Sequence, residues 1–219
     1  MRFHLIPTKC ITTVLVALEF LYRAVRNPAR VALFPGTWNP PTVAHVDIAR
    51  MARCQADEVI WLLPRVFPHK GFEGAGFDAR RRMLETLARH AGFSAAVSDG
   101  GLYAEMAAEA RDYFGPQTEI SVVLGRDAAE RIVAWDYGAP DVFDDFVRRH
   151  RLLVADRSGE YEPAERHRGR ISKLPMDASW DEVSSSEVRR RIANGEDWRA
   201  LVPPAIAGIV QDIYREDLY

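Results

Sequence analysis

At 219 residues, 47% hydrophobic and 27% charged, the chain is long enough to bury a substantial core and has the balance of a single α/β unit with additions. A formal charge of -2 and a pI near 6.3 argue against a general nucleic-acid or membrane surface. The two cysteines, Cys10 and Cys54, lie far apart without metal-ligand spacing, which points to a reducing cytoplasm and no structural metal.

The first thirty residues place Met1-Arg2 before an apolar segment. Glu19 interrupts that segment, no small-residue cleavage site follows, and the segment is short for a bilayer, so neither a signal peptide nor a membrane helix is expected. Val14, Leu18, Leu21, Tyr22 and Val25 recur at amphipathic helical spacing until Asn27-Pro28, which predicts a helical extension over 1–30 ahead of a main domain over 31–219. Its expected role is to cover an apolar patch of its own domain, with a homo-oligomer contact as the alternative.

Residues 31–45 are the centre of the chain. A short apolar run breaks at Gly36, and Pro40-Pro41 precede a helical pattern, giving strand, tight turn, helix. Such a turn brings backbone N–H groups and the positive end of a helix dipole to one point, a site for phosphate. Thr42 and His45 share a face at the helix start, where a hydroxyl and an imidazole suit charge stabilisation during phosphoryl or nucleotidyl transfer.

The run 58–64 is continuously apolar, as in a parallel strand buried on both faces. A ligand segment is expected after its C-terminal end, and Arg65 to Lys70 supplies cations and a rigid proline there. A helix follows over 77–90, with Arg80, Arg81 and Arg82 read as a solvated face. Next come a short strand over 94–97, a loop entering a helix between 100 and 114, and a buried strand over 120–125. That strand closes on Gly125-Arg126-Asp127 before a helical pattern ending at Trp135. A carboxylate past a strand end can accept from ribose hydroxyls, with an N-cap as its plain alternative. An indole can stack on an aromatic base or simply fill a core. A helix over 140–149, a strand over 151–156, a polar mobile loop or lid over 158–170 and an edge strand over 171–176 complete this part. Ser184 and Glu187 then form a capping box, so Ser184, Ser185 and Ser186 sit at a helix N-terminus with Arg189 farther in, an anion trap suited to a triphosphate tail.

Gly36-Thr37-Trp38-Asn39-Pro40-Pro41 followed by Thr42-Val43-Ala44-His45 resembles the signature of the nucleotidyltransferase superfamily, and Val183 to Arg189 is similar to its Ile-Ser-Ser-Thr/Ser-x-x-Arg segment. Ala44 stands where the family has glycine, and Pro35 where a second glycine is common. Pro68-His69-Lys70, Gly125-Arg126-Asp127-Ala128 with Trp135, and Leu201-Val202-Pro203-Pro204 most resemble the nicotinate or nicotinamide mononucleotide adenylyltransferases; the resemblance covers about 31–214. Tyr103-Ala104-Glu105-Met106 departs from their Tyr-Thr-x-Asp-Thr-Leu.

The resemblance implies a Rossmann-like, doubly wound parallel sheet and transfer of AMP from ATP to a pyridine mononucleotide, with release of pyrophosphate. It implies that His45, Thr42 and Arg189 act in catalysis. ATP would be held by Gly36, Thr37, Trp38, His45, Gly125, Asp127, Ser184, Ser185, Ser186 and Arg189, and the acceptor by Lys70, Tyr103 and Trp135. Mg²⁺ would come with the ATP phosphates and need no dedicated protein site. The expected partners are ATP and a mononucleotide, with no nucleic acid and no membrane. The stretch 42–60 also resembles pantetheine-phosphate adenylyltransferase, which ranks second. A cytidylyltransferase, or a nucleotide sensor without turnover, is the remaining reading.

Overall fold

The computed structural model describes residues 18–67, 74–135, 137, 141–156 and 159–216. Their strands are β1 (Glu19–Tyr22), β2 (Arg30–Pro35), β3 (Glu58–Pro64), β4 (Ser94–Ser98), β5 (Glu119–Gly125), β6 (Arg151–Asp156) and β7 (Ile171–Pro175). The helices are α1 (Val43–Arg53), α2 (Phe77–Ala91), α3 (Tyr103–Phe114), α4 (Arg126–Val133), α5 (Val142–Arg149), α6 (Ser185–Ala193) and α7 (Pro204–Glu216). The strands form one seven-stranded sheet in the order β1-β4-β3-β2-β5-β6-β7, parallel except for β1. This is the expected doubly wound α/β fold.

Alternation along each strand sorts the core into two layers, because successive side chains point to opposite faces. Ala32, Phe34, Val59, Trp61 and Leu63 pack with the apolar stripes of α1, α2, α6 and α7 on one face. Val31, Leu33, Ile60, Leu62 and Ile120 pack beneath α3 on the other, and Val122, Leu152 and Val154 continue that layer under α4 and α5. Strand order reverses at β2, whose neighbours are β3 on one side and β5 on the other. In open sheets of this kind the crevice for ligands lies beyond the strand C-termini at that reversal. The turns after β2 and β5 meet there, which is what brings Gly36 and Gly125 into one region. Among the described residues, no helix is long and apolar enough to cross a membrane.

From residue 18 onward the predicted N-terminal helix is corrected by the structure, while 1–17 lie outside the described residues. Glu19–Tyr22 is an edge strand antiparallel to β4, with an irregularity between Phe20 and Tyr22. Leu18 and Phe20 face one core layer, while Leu21 and Tyr22 both join the other, so a bulged strand reproduces the spacing that imitates a helix. Val14 lies outside the described residues. The segment after β1 is fixed by the buried carboxylate of Glu58, which accepts from the Ser94 hydroxyl and pairs with Arg23 at 3.4 Å. Replacing Leu21 by Ala should therefore lower unfolding stability by about 2 kcal/mol, at the low end for a buried leucine because the site is on a sheet edge. A urea midpoint within error of the parent would show that β1 is not part of the core.

The stretch 159–170, expected as a mobile lid, is anchored instead. Tyr161 and His167 are buried, the Tyr161 N–H donates to Asp156, and His167 Nε2 lies 2.7 Å from Asp144 Oδ1. That hydrogen bond holds the Asp144 carboxyl below the usual carboxylate range. Residues 157–158 fall outside the described residues.

Candidate active site

The turn after β2 is set by one carbonyl. Leu62 of β3 accepts from the Gly36 N–H at 3.0 Å and from Trp38 Nε1 at 2.8 Å, so the indole folds back over the turn. A Cβ on Gly36 would stand 2.9 Å from that indole, which is why glycine is required there. Trp38 has φ +54°, its ring stacks on Trp61 at 4.8 Å, and it meets the His45 ring edge-on at 5.3 Å. Trp38, expected among the residues that hold ATP, has its indole as the buried wall against which the histidine stands.

Thr42 caps α1, and a reciprocal pairing joins it to His45. The Thr42 N–H donates to His45 Nδ1 at 3.0 Å, and Thr42 Oγ1 lies 2.8 Å from the same nitrogen. A backbone N–H can only donate, so Nδ1 accepts and a neutral imidazole carries its proton on Nε2. Thr42 itself is fully buried. Its hydroxyl is turned to the His45 ring, so the threonine orients that ring and fixes its tautomer. Ala44, the departure from the family's glycine, is also fully buried and presents no methyl surface to a ligand. Pro35 ends β2 in register with Leu62.

The start of α6 docks directly on the turn after β2. Ser185 Oγ donates to the Pro40 carbonyl at 2.7 Å, and Arg189 donates to the Asn39 carbonyl at 2.6 Å, with Ser186 Oγ at 3.4 Å from the same guanidinium. Ser184 accepts from the Glu187 N–H at 3.1 Å as the N-cap of α6. The expected capping box is half present, because the Glu187 side chain turns away to Arg190 and Arg191, which hold its carboxyl down to about 2. The turn that carries Gly36, Thr37 and Trp38, the His45 helix start and the Ser184–Arg189 helix start, distant in sequence, are thus brought together.

The other predicted site residues lie on separate elements. Gly125 is the N-cap of α4, and Asp127 is exposed in the first turn of that helix. Tyr103 opens α3 and is half-buried; burial pushes its hydroxyl pKa up, and Arg131 and Tyr137 lie within electrostatic reach. Trp135 is 51% exposed just beyond α4 and is not a core indole. Lys70 lies outside the described residues.

Three contributors were not foreseen. Asn39 Oδ1 accepts from the Ala75 N–H at 3.0 Å and from the Tyr214 hydroxyl at 2.5 Å, tying the turn to the segment before α2 and to α7. The Asp47 carboxylate accepts from Trp180 Nε1 at 3.1 Å, fastening α1 to the approach to α6. Arg80, read as part of a solvated face, is 5% exposed and donates to the Thr37 carbonyl at 3.3 Å. The available signal was its register: it shares a helical stripe with Phe77, Met83, Leu84 and Leu87.

Among the described residues, no group of three or more His, Cys, Asp or Glu side chains could hold a metal ion. The polar groups at the two helix starts are N–H, hydroxyl and guanidinium groups, a kind of donor that suits phosphate oxygens.

Comparison with known proteins agrees with this chemistry. The sequence profile of the family described as cytidylyltransferase-like matches residues 33–191. A probable nicotinate-nucleotide adenylyltransferase of Salinibacter ruber is 30% identical over 195 residues, spanning 84% of this chain and 97% of the relative. One from Solibacter usitatus is 32% identical over 193 residues, spanning 84% and 97%. In fold, the chain is similar to Plasmodium falciparum nicotinic acid mononucleotide adenylyltransferase complexed with NaAD, with TM-score 0.65 and 16% identity, over 87% of this chain and 98% of that one.

Proposed function

Because the chain belongs to the cytidylyltransferase-like nucleotidyltransferases, and within them to the nicotinate-nucleotide adenylyltransferase family, we propose that it transfers AMP from ATP to the phosphate of nicotinate mononucleotide, with nicotinamide mononucleotide as the related acceptor. The observation that carries the reading is the docking of Ser185 and Arg189 on the Pro40 and Asn39 carbonyls, because it joins both phosphate segments at one place. An oxygen of the acceptor phosphate attacks the α-phosphorus in line. The bond to the α,β-bridging oxygen breaks, and pyrophosphate leaves with the electron pair. No covalent enzyme intermediate is needed, so positioning and charge stabilisation do most of the work.

His45 donates from Nε2 to the α-phosphate as negative charge gathers there, and Thr42 keeps that nitrogen protonated by occupying Nδ1. The Thr37–Trp38 backbone, next to Gly36, lines the same phosphate. Ser184, Ser185, Ser186 and Arg189 hold the β- and γ-phosphates, and Arg189 also steadies the charge that develops on the leaving group. Gly125 lets the adenosine approach closely and Asp127 accepts from its ribose, while Lys70, Tyr103 and Trp135 serve the acceptor. Mg²⁺ neutralises phosphate charge and travels with ATP. The proposal places the enzyme in the cytoplasm, supported by the exposed free thiol of Cys54.

The test is pyrophosphate release from ATP and Mg²⁺ with each of nicotinate mononucleotide, nicotinamide mononucleotide and phosphopantetheine. Nicotinate mononucleotide is expected to give the largest kcat/KM. Preference for phosphopantetheine would assign the chain to a different acceptor class, and ATP binding without pyrophosphate release would make it a sensor.

A further inference from the structure

Arg80 is a buried cation aimed at the signature turn. It sits in the first turn of α2 on the stripe that faces the core, with its guanidinium carbon 5.4 Å from the Phe67 ring centroid and 5.7 Å from that of Phe77. One of its N–H groups reaches the carbonyl of Thr37. Burial lowers its pKa from the usual value, yet a guanidinium stays protonated inside proteins. A full positive charge is therefore held largely buried, with one of its donors on a backbone carbonyl of the signature turn.

That carbonyl shares a peptide plane with the Trp38 N–H. In a trans peptide the two groups point in opposite directions, so drawing the carbonyl toward Arg80 turns the Trp38 N–H to the far side of the turn. A charge-assisted bond at the carbonyl end also polarises the peptide and strengthens its N–H as a donor. Two other carbonyls of the turn also accept from side chains: Asn39 from Arg189 and Pro40 from Ser185. Those two precede prolines and control no N–H, so of the three carbonyls held by side chains Thr37 is the one whose peptide presents a donor.

We propose that Arg80 is a positioning residue for adenylyl transfer: it orients and polarises the Thr37–Trp38 peptide so that the Trp38 N–H meets the charge developing on the α-phosphate. The inference rests on the assignment of the turn to ATP phosphate given above. It adds a group that touches neither substrate and acts through one peptide bond.

The experiment compares the full-length parent with Arg80→Met and Arg80→Lys. Arg80→Met should lower kcat about 10–100-fold with ATP KM within about threefold, because a donor that matters mainly in the transition state is misaligned. Arg80→Lys, which keeps a charged donor, should recover at least a tenth of parental kcat. In ¹⁵N-labelled parent, the Trp38 amide proton should move downfield on adding Mg²⁺ and α,β-methylene ATP, and move less in Arg80→Lys. This second readout stands even if Arg80→Met does not fold. A kcat within threefold of the parent in Arg80→Met, or a Trp38 amide unmoved by the nucleotide, would overturn the proposal. A parent that binds the nucleotide with the amide shift but releases no pyrophosphate with any acceptor would instead overturn the functional reading.

Discussion

Replacing His45 by Ala is expected to lower kcat by about 10²–10³ while ATP affinity stays within several-fold and the fold is kept. The asymmetry follows from geometry. The imidazole is held between the Thr42 cap and the Trp38 ring, with Nδ1 already engaged, so its free energy is directed through Nε2. A donor that meets more negative charge in the transition state than in bound ATP acts on turnover, not on ground-state affinity. Steady-state kinetics with a parallel thermal melt would check it. Near-parental kcat would remove His45 from the chemistry, and loss of folding would show it to be a packing residue of α1. His45→Asn offers a further comparison, since an amide can donate from a related position without titrating near neutrality.

The second large effect is expected at Trp38. Its indole is 2% exposed, stacks on Trp61, meets Phe34 edge-on at 5.1 Å and donates to Leu62. Truncation to Ala empties this space and should lower stability by about 3–5 kcal/mol, as for other buried aromatics. The Leu62 carbonyl keeps its bond from Gly36, so the loss is chiefly one of packing. A urea titration with unchanged slope measures it. The same reasoning makes Gly36→Ala costly in the parent, where its methyl meets the indole, and much less costly beside Trp38→Ala. A change under about 1 kcal/mol for Trp38→Ala would mean that the turn is supported from elsewhere.

The parallel sheet was legible because β3, β5 and β6 are buried on both faces and therefore appear as unbroken apolar runs. The turn after β2 and the cap of α6 were legible because turns and caps are written in short patterns of Gly, Pro, Ser and Thr. What stayed hidden involves choices that sequence spacing leaves degenerate. Leu18 to Tyr22 fits an amphipathic helix and a bulged strand alike, and pairing with β4 decides the matter. Three consecutive arginines look solvated, yet successive helical residues point about 100° apart, so one of the three can face inward. Arg80 is that one. Thr42 and His45 were rightly placed together, but their spacing could not say that the threonine engages the ring and lies buried beneath the surface it helps to build. The stretch 158–170 looked unsupported because its anchors, Tyr161 and His167, are single residues among charges, and each depends on an acid elsewhere in the chain.

The bond from Tyr214 to Asn39 spans 175 residues. During synthesis, at about 5–20 residues per second, the turn emerges roughly 10–35 s before the residue that completes its hydrogen bonding exists. The nascent chain therefore passes through an interval in which strands flanking the turn can already pair while Asn39 lacks its phenolic donor. Until α7 leaves the ribosome, ATP should meet an unfinished turn, so the competence to turn over arrives with α7 and not with the signature itself. A ribosome-held chain stopped before Tyr214 would bear every signature residue and still be a poor catalyst.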